Sequence, residues 1–530
     1  MPNSLRLDFV SPLPPVRSGI ADYSADLLPD LARLCDVRVI RLDDQPVADK
    51  LVEEWEPVST DRLAEDGRLP LYQMGNNSYH AQVLELALLA PGVLTLHDIF
   101  LHHLTMERFL IRQQLEPYKA QLEFDHGWIG AAVALPPRWG AYGDSGLFAL
   151  PCHRSLVQRQ RGVLVHSQWG ADLVKEESGI PNVRVIPMPM PLEEPAADAA
   201  IAEFRSRHGI PAETTVLGSF GFQTPIKRTD VAIGALAQPG MESLHLLVVG
   251  QVARELDLES EAREVGVLDR VHILGYVDRE ELRVAMSVAD IAVNLRYPTA
   301  GETSASLLRL FAQGCPAIVS EYAQFADLPA DVALQVPLGS DEVELLALRV
   351  RDVLASPDSL REMGAAARKL IQEEHSPRKA AAAVYEACRD LAAEELPPSE
   401  PAAPPLPTTL TWGPAEGSVT VRGLDEPWPP GSARELEIHL ANTGRARWLA
   451  AHRGVGGVSL KIELEDLERD HLETRPWVPL PVDLQPGEQI ALSIRLRRPL
   501  GPCTLRVVPQ VAEAEGYSAL DGPTFEQRVF

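Results

Sequence analysis

The sequence predicts an α/β protein of two Rossmann-like, doubly wound domains followed by an all-β sandwich. Three observations carry this. Short apolar runs alternate with helical patterns from residue 5 to about residue 395, the signature of βαβ units in a parallel sheet. The 530-residue length exceeds what one core supports and calls for two to four domains. Beyond the Pro-rich stretch LPPSEPAAPPLP (Leu396–Pro407) the apolar period becomes two, as in half-buried strands. The expected divisions are 1–195 for the first domain, 196–375 for the second, 376–395 for a helix returning to the first, 396–407 for a linker and 408–530 for the sandwich.

In chain order, LRLDFVSPL is an apolar strand, PPVRSGIADYS a Pro- and Gly-containing loop, and YSADLLPDLARL an apolar-periodic helix. Gly19 in that loop lets backbone N–H groups approach a phosphate. Strands DVRVIRL, LPLYQMG and GVLTLHD follow. The last two end in polar and imidazole groups: Asn76, Asn77, His80, His97, Asp98, His102 and His103. Two such loops at one end of a sheet mark a site. His97, which ends a buried strand, is the best functional candidate among them. The spacing of His97, Asp98, His102 and His103 matches no defined metal site. Residues 100–135 read as amphipathic helix shaping an acceptor cleft, GVLVHS as another strand, and EEPAADAA as the connection between domains.

The second domain opens with TTVLGSFGF, a loop QTPIKR and a helix TDVAIGAL, placing Lys227 and Arg228 at a strand-to-helix turn. LHLLVVG, VHILGYV and IAVNL follow with helices between them. IAVNL runs into a polar loop containing Gly301, then a helix, then CPAIVSE. Ligands of such sheets sit beyond the carboxyl ends of the strands, and a helix N-terminus there suits a phosphate. Glu302, Ser306, Arg309 and Gln313 recur at helical spacing as one polar stripe. On a helix Glu302 and Arg309 stand about 10 Å apart along the axis, too far to pair. Ser376-Pro377 is an N-cap followed by Pro, opening an Ala-rich helix to about Glu395. In the last segment Leu436, Ile438 and Leu440, then Leu460, Ile462 and Leu464, then Ile490 to Leu496 alternate with polar residues, as in an antiparallel sandwich of immunoglobulin size. Trp412, Trp428, Trp448 and Trp477 fit either a core or a sugar-stacking platform.

Lys plus Arg total 49 against 75 Asp plus Glu, a net charge of −26. That field repels nucleic acid and anionic membrane, so a site for an anion must be a local basic pocket. The five Cys lack metal or disulfide spacing and read as buried thiols of a reducing compartment. No signal peptide and no run of roughly 20 apolar residues is found. The expected location is cytoplasmic, with at most peripheral contact at the inner membrane face.

The stretch NLRYPTAGETSASLLRLFAQGCPAIVS resembles the donor-site motif of glycosyltransferase family 4, a retaining family of GT-B fold. The resemblance spans roughly residues 5–395. It places Glu302 on the donor sugar, Gly301, Thr303 and Ser304 at the donor, and Arg309 where the family has a second Glu that holds the ribose. Ser18-Gly19 matches the family loop facing the donor diphosphate, and His97 the histidine beside the transferred sugar. Aligning Gly221 puts Phe222 at a family Arg and Lys227 at the diphosphate-binding Lys, with Arg228 or Arg296 to supply the missing charge. Tyr276-Val277 matches the segment whose backbone reads the base. ANTGRARW and LQPGEQ resemble Ig-like modules appended to bacterial sugar-modifying enzymes.

The resemblance implies sugar transfer from a nucleotide-diphosphate sugar to a glycan or lipid-linked acceptor in polysaccharide or cell-envelope synthesis. It implies retention by front-face attack, with a diphosphate oxygen taking the acceptor's proton and no metal or other cofactor. Glu302, His97 and Lys227 are the expected catalytic set. Two alternatives stand beside it. A GT-B sugar-nucleotide epimerase needs a carboxylate acid/base pair in the cleft. A carbohydrate-binding or scaffold protein is favoured by the altered positions Phe222 and Arg309.

Overall fold

The computed structural model describes residues 5–529 except 44, 135–144, 340, 395–405, 407, 410–414, 455, 468–470, 475–476, 514–515 and 519–522. Residues 1–118 with 151–403 form one compact unit, and residues 119–150 with 404–530 form a second.

The first unit holds two parallel six-stranded sheets. Sheet one consists of β1 (Arg6–Val10), β2 (Asp36–Ile40), β3 (Leu69–Met74), β4 (Val93–Leu96), β5 (Gly162–Val165) and β6 (Val183–Val185), in the order β2-β1-β3-β4-β5-β6. β1, β3, β4 and β5 are buried nearly throughout, as strands covered on both faces must be. Sheet two consists of β7 (Thr215–Phe220), β8 (Leu244–Val249), β9 (Val271–Gly275), β10 (Ile291–Asn294), β11 (Ala317–Ser320) and β12 (Ala333–Val336). Its order, β12-β11-β10-β7-β8-β9, reverses between β7 and β10. Sheet one reverses between β1 and β3. In such sheets the loops after the reversing strands form the ligand crevice. Both doubly wound lobes agree with the sequence expectation; β12 was not among the expected strands.

The expected return helix is Pro377–Ala393, capped by Ser376, whose hydroxyl accepts from the Lys379 N–H. It lays Val384, Ala387, Cys388 and Leu391 into the core that holds Tyr23, Leu27, Leu28 and Leu31 of the Gly19–Leu31 helix. Leu391 also packs beside Gly162 at the start of β5.

The second unit contains the expected all-β region. Strand Ala433–Asn442 pairs antiparallel with Gly417–Arg422 and Gln489–Arg497; strand Gly457–Asp466 pairs antiparallel with Cys503–Glu513. Leu436, Ile438 and Leu440 of one sheet share a core with Leu460, Ile462, Leu464, Leu505 and Val507 of the other. Trp428 and Trp448 are 2% and 0% exposed in that core, so neither belongs to a sugar-stacking platform. Trp477 is half-buried, and Trp412 lies outside the described residues. All five Cys are buried and free. Among the described residues no helix is long and apolar enough to cross a membrane.

Candidate active site

The reversal in sheet two sets the loop after β7 beside the loop after β10. Gly221 follows β7 with φ +95°, a conformation costly to any residue with a Cβ, and a Cβ there would stand 2.8 Å from Lys227 Nζ. Glycine thus lets the lysine lie against the backbone. Lys227 is 9% exposed and donates to the Phe220 carbonyl. Burial first, then the nearby Arg296 guanidinium, pushes its ammonium well below the ordinary lysine range, while Glu302 opposes the shift. Ser306 Oγ lies 3.9 Å from the same Cβ position, so the N-terminal turn of the Ala305–Ala312 helix borders the pocket.

That helix starts later than its polar stripe implies. Ser304 is its N-cap, accepting from the Leu307 N–H, so Glu302 and Thr303 belong to the loop before it. Freed from the helix, the Glu302 carboxylate folds back on its own loop. It accepts from Thr299 Oγ1 at 2.9 Å and the Ala300 N–H at 3.0 Å, and stands 3.5 Å from Arg296 Nε. Arg296, 6% exposed, also reaches Ser304 Oγ at 3.5 Å. Arg228 turns elsewhere, to an ion pair with the buried Glu342, so of the two cations weighed as Lys227's helper only Arg296 stands beside it.

On the first lobe Ser18 caps the Gly19–Leu31 helix, its hydroxyl accepting from the Ile20 N–H, and the space beside Gly19 is open. His97 is 6% exposed with both ring nitrogens engaged: Nε2 with the Gln73 amide at 2.9 Å and Nδ1 with His166 Nε2 at 3.1 Å. Burial, then His166, holds it well below the ordinary imidazole range, hence neutral. Its neighbours do not converge with it on one centre. His102 meets Tyr118 OH at 2.7 Å, and His103 is exposed beside the Asn76 carbonyl. Asp98 accepts the Asn76 N–H at 2.7 Å, and burial, then Glu302, raises its carboxyl to about 7. His80 is fully buried, binds Asn77 Oδ1 through Nδ1, and is lowered by burial to about 4.

The two lobes touch around this crevice. The Ile99 and Phe100 N–H groups donate to the Ala300 carbonyl at 2.8 and 3.0 Å. Gly301 packs against Ile99 and Trp169. Arg309 pairs with Asp22 of the first-lobe helix at 3.3 Å, which is the partner that its distance from Glu302 left open. The Arg17 guanidinium lies 5.2 Å over the ring of Tyr276, itself 66% exposed, while Val277 packs into the core. Phe222 is exposed at the loop following β7.

The structure therefore brings Gly221, Lys227, Arg296, Gly301, Glu302, Thr303 and Ser304 together on one lobe; from the other lobe Arg17 and Asp22, which flank Ser18 and Gly19 in the chain, meet Tyr276 and Arg309. Sequence reasoning gave no role to Arg17, Asp22 or Ser306, and named Asp98 only among polar strand ends. A carboxylate just beyond the carboxyl end of a buried strand, after His97, was the signal for Asp98. Nothing in the sequence marked Asp22.

Two doubly wound lobes facing across a crevice, with a lysine at the reversal point of the second, define the GT-B architecture. Residues 200–370, most of the second lobe, match the model of the family glycosyl transferases group 1. A 2-deoxystreptamine glucosyltransferase of Streptomyces kanamyceticus is 24% identical over 212 residues, 38% of this chain and 54% of that protein. The chain thus spans about half the length of this curated relative. Among solved structures, Anabaena HepE in complex with UDP aligns with TM-score 0.53 and 15% identity over 73% of this chain and 100% of that one. Sucrose-phosphate synthase from Thermosynechococcus elongatus aligns with TM-score 0.52 and 19% identity over 73% and 99%.

Proposed function

We propose that this protein transfers a sugar from a nucleoside-diphosphate sugar to a hydroxyl of a glycan or lipid-linked acceptor, with retention and without a metal, in bacterial polysaccharide or envelope synthesis. The observation that carries the reading is Lys227 Nζ laid against Gly221 at the reversal point, with Arg296 beside it. The chemical task is to hold a departing diphosphate, and buried cations preorganised at that spot stabilise its growing charge. Lys227, Arg296 and the N–H groups of Thr303 and Ser304 take the diphosphate. Glu302 orders the donor loop and presents its carboxylate edge to the sugar hydroxyls. Tyr276 and Val277 border the base. The match to group 1 glycosyl transferases and the UDP-bound relative favour a UDP-sugar donor.

Isothermal titration with UDP, UDP-glucose, UDP-N-acetylglucosamine and GDP-mannose tests this. At least one binds the wild type, and Lys227→Ala weakens that ligand by about 10- to 100-fold, the value of a charge-assisted contact. Absence of binding by all four refutes the reading. Binding without hydrolysis or transfer favours the scaffold alternative, which Phe222 and Arg309 motivate.

A further inference from the structure

The loop that carries Glu302 is held by a residue from outside it. The chain leaves β11 for a single turn, Ala323–Phe325, whose middle residue is Gln324. That side chain is 8% exposed, and its amide nitrogen serves the donor loop: Nε2 donates to the Glu302 carbonyl at 2.7 Å and to Thr299 Oγ1 at 3.1 Å. A carbonyl can only accept, so the nitrogen end of the amide is fixed on this side. Thr299 Oγ1, itself buried, also accepts the Gly301 N–H at 3.0 Å. With both lone pairs of that oxygen filled, its proton has one direction left, onto Glu302 Oε2 at 2.9 Å. Gln324 thus decides, through Thr299, which edge of the carboxylate the loop consumes. Oε2 takes the Thr299 proton and the Ala300 N–H, whereas among the described residues Oε1 has the looser contact with Arg296 Nε at 3.5 Å.

Two features show that stability alone does not explain a glutamine here. Its Oε1 is buried without a hydrogen-bond partner among the described residues, a penalty that leucine at this position would not carry. Ala323, the residue before it, holds φ +49°, a left-handed conformation that is costly to any residue with a Cβ. Strained backbone and unpaired buried polar atoms collect where a chain keeps a geometry for function.

Resting on the reading of this crevice as a sugar-transfer site, we propose that Gln324 is a positioning residue for the donor sugar. By holding Thr299 Oγ1 and the Glu302 carbonyl, it turns the Glu302 carboxylate so that Oε1 is the edge offered to the sugar hydroxyls. The diphosphate is assigned to Lys227, Arg296 and the N–H groups of Thr303 and Ser304, and among the described residues Gln324 hydrogen-bonds to none of these. Loss of its amide therefore weakens recognition of the sugar and spares that of the nucleotide.

Calorimetry on the full chain tests this. The ligands are whichever of UDP-glucose, UDP-N-acetylglucosamine or GDP-mannose binds, and its nucleoside diphosphate alone. The proteins are wild type, Gln324→Leu, Thr299→Val and the double variant. Gln324→Leu is expected to bind the nucleotide sugar about 10-fold more weakly, the loss of one hydrogen bond to a carboxylate, and the nucleoside diphosphate within about 3-fold of wild type. Thr299→Val shows the same split. Adding it to Gln324→Leu lowers the affinity by less than about 3-fold more, because both act through one carboxylate. A merely structural role moves both ligands together, so equal losses for the two, or no loss for either, overturn the proposal and leave the sugar-transfer reading intact. Additive losses in the double variant overturn it as well. If Gln324→Leu does not fold, Gln324→Met and Thr299→Val decide: a loss confined to the nucleotide sugar supports the proposal, and an unchanged ratio of the two affinities refutes it. If wild type binds none of the three nucleotide sugars, both readings fall.

Discussion

Replacing Gly301 by alanine strikes the seam between the lobes at one atom. The backbone there has φ +81°, which costs an L-residue about 1–2 kcal/mol. The new methyl would stand 2.5 Å from Ile99 Cγ1, 2.8 Å from Ile99 Cβ and 3.0 Å from Trp169 Cζ3. Ile99 is 1% exposed and has little room to retreat, so overpacking adds about 1–3 kcal/mol. The sum is about 2–5 kcal/mol, drawn from the contact in which Ala300 takes the Ile99 and Phe100 N–H groups. Thermal unfolding followed by circular dichroism checks it, with a melting point at least about 4 °C lower. A cycle with Ile99→Ala separates the two terms. That change removes Cγ1 but keeps Cβ, so it rescues part of the steric cost and none of the backbone cost, giving a coupling of about 1–2 kcal/mol. Gly301→Ala within about 0.5 kcal/mol of wild type, or strictly additive effects in the cycle, refutes the docked seam.

Other outcomes follow from single contacts. Arg228→Ala leaves Glu342, 2% exposed, without its cation; it destabilises by about 3–5 kcal/mol, Glu342→Gln restores much of the loss, and nucleotide affinity stays within 2-fold, whereas Arg296→Ala weakens that affinity at least 10-fold. Trp448→Ala empties a fully buried site in the β-rich unit and costs about 3–5 kcal/mol by denaturant titration, with no effect on nucleotide binding. Because burial lowers His80 to about 4, the unfolded chain holds more protons than the folded one between there and about 6.5. Stability from this residue is therefore present above pH 6.5 and lost as pH falls through that window, by at most about 3 kcal/mol. Urea midpoints at pH 4.5 and 7.5 for wild type and His80→Gln measure it; an unchanged slope for the variant contradicts the burial argument.

What the sequence disclosed and what it hid divides along physical lines. Apolar strands with their polar ends are local features, so the two doubly wound lobes and the loops after β1, β3, β7 and β10 were legible. Periodicity overreached at Glu302: the spacing to Ser306 and Arg309 is helical, but Ser304 takes the N-cap, and a cap is decided by one hydroxyl rather than by a period. Thr303, Ser304 and Ser306 all offer such a hydroxyl, which masked the boundary. β12 escaped because ALQV is only four residues long and two of them are half-buried, too short a run for a period to show. Partners distant in sequence were out of reach. Arg228 reads as a helper for Lys227 until Glu342 claims it, and Arg309 reads as a free cation until Asp22 meets it across the seam. Trp448 and Trp428 offered a platform by residue type alone; burial decided for the core.

The acidic body and the crevice obey one electrostatic argument. A chain of net charge −26 repels anions at long range, so the diphosphate binding proposed above rests on groups close enough to act inside a shielded pocket. There Lys227 and Arg296 share, among the described residues, one adjacent carboxylate, Glu302. Two buried cations with one counter-charge are a poor arrangement by themselves, and the lysine is the one that yields, because a guanidinium holds its proton far more strongly. A bound diphosphate, as proposed, supplies negative charge that favours the ionised form of both cations. One further negative charge balances the pair, so under the proposed reading discrimination lies in that local deficit of about one charge rather than in the charge of the surface around it.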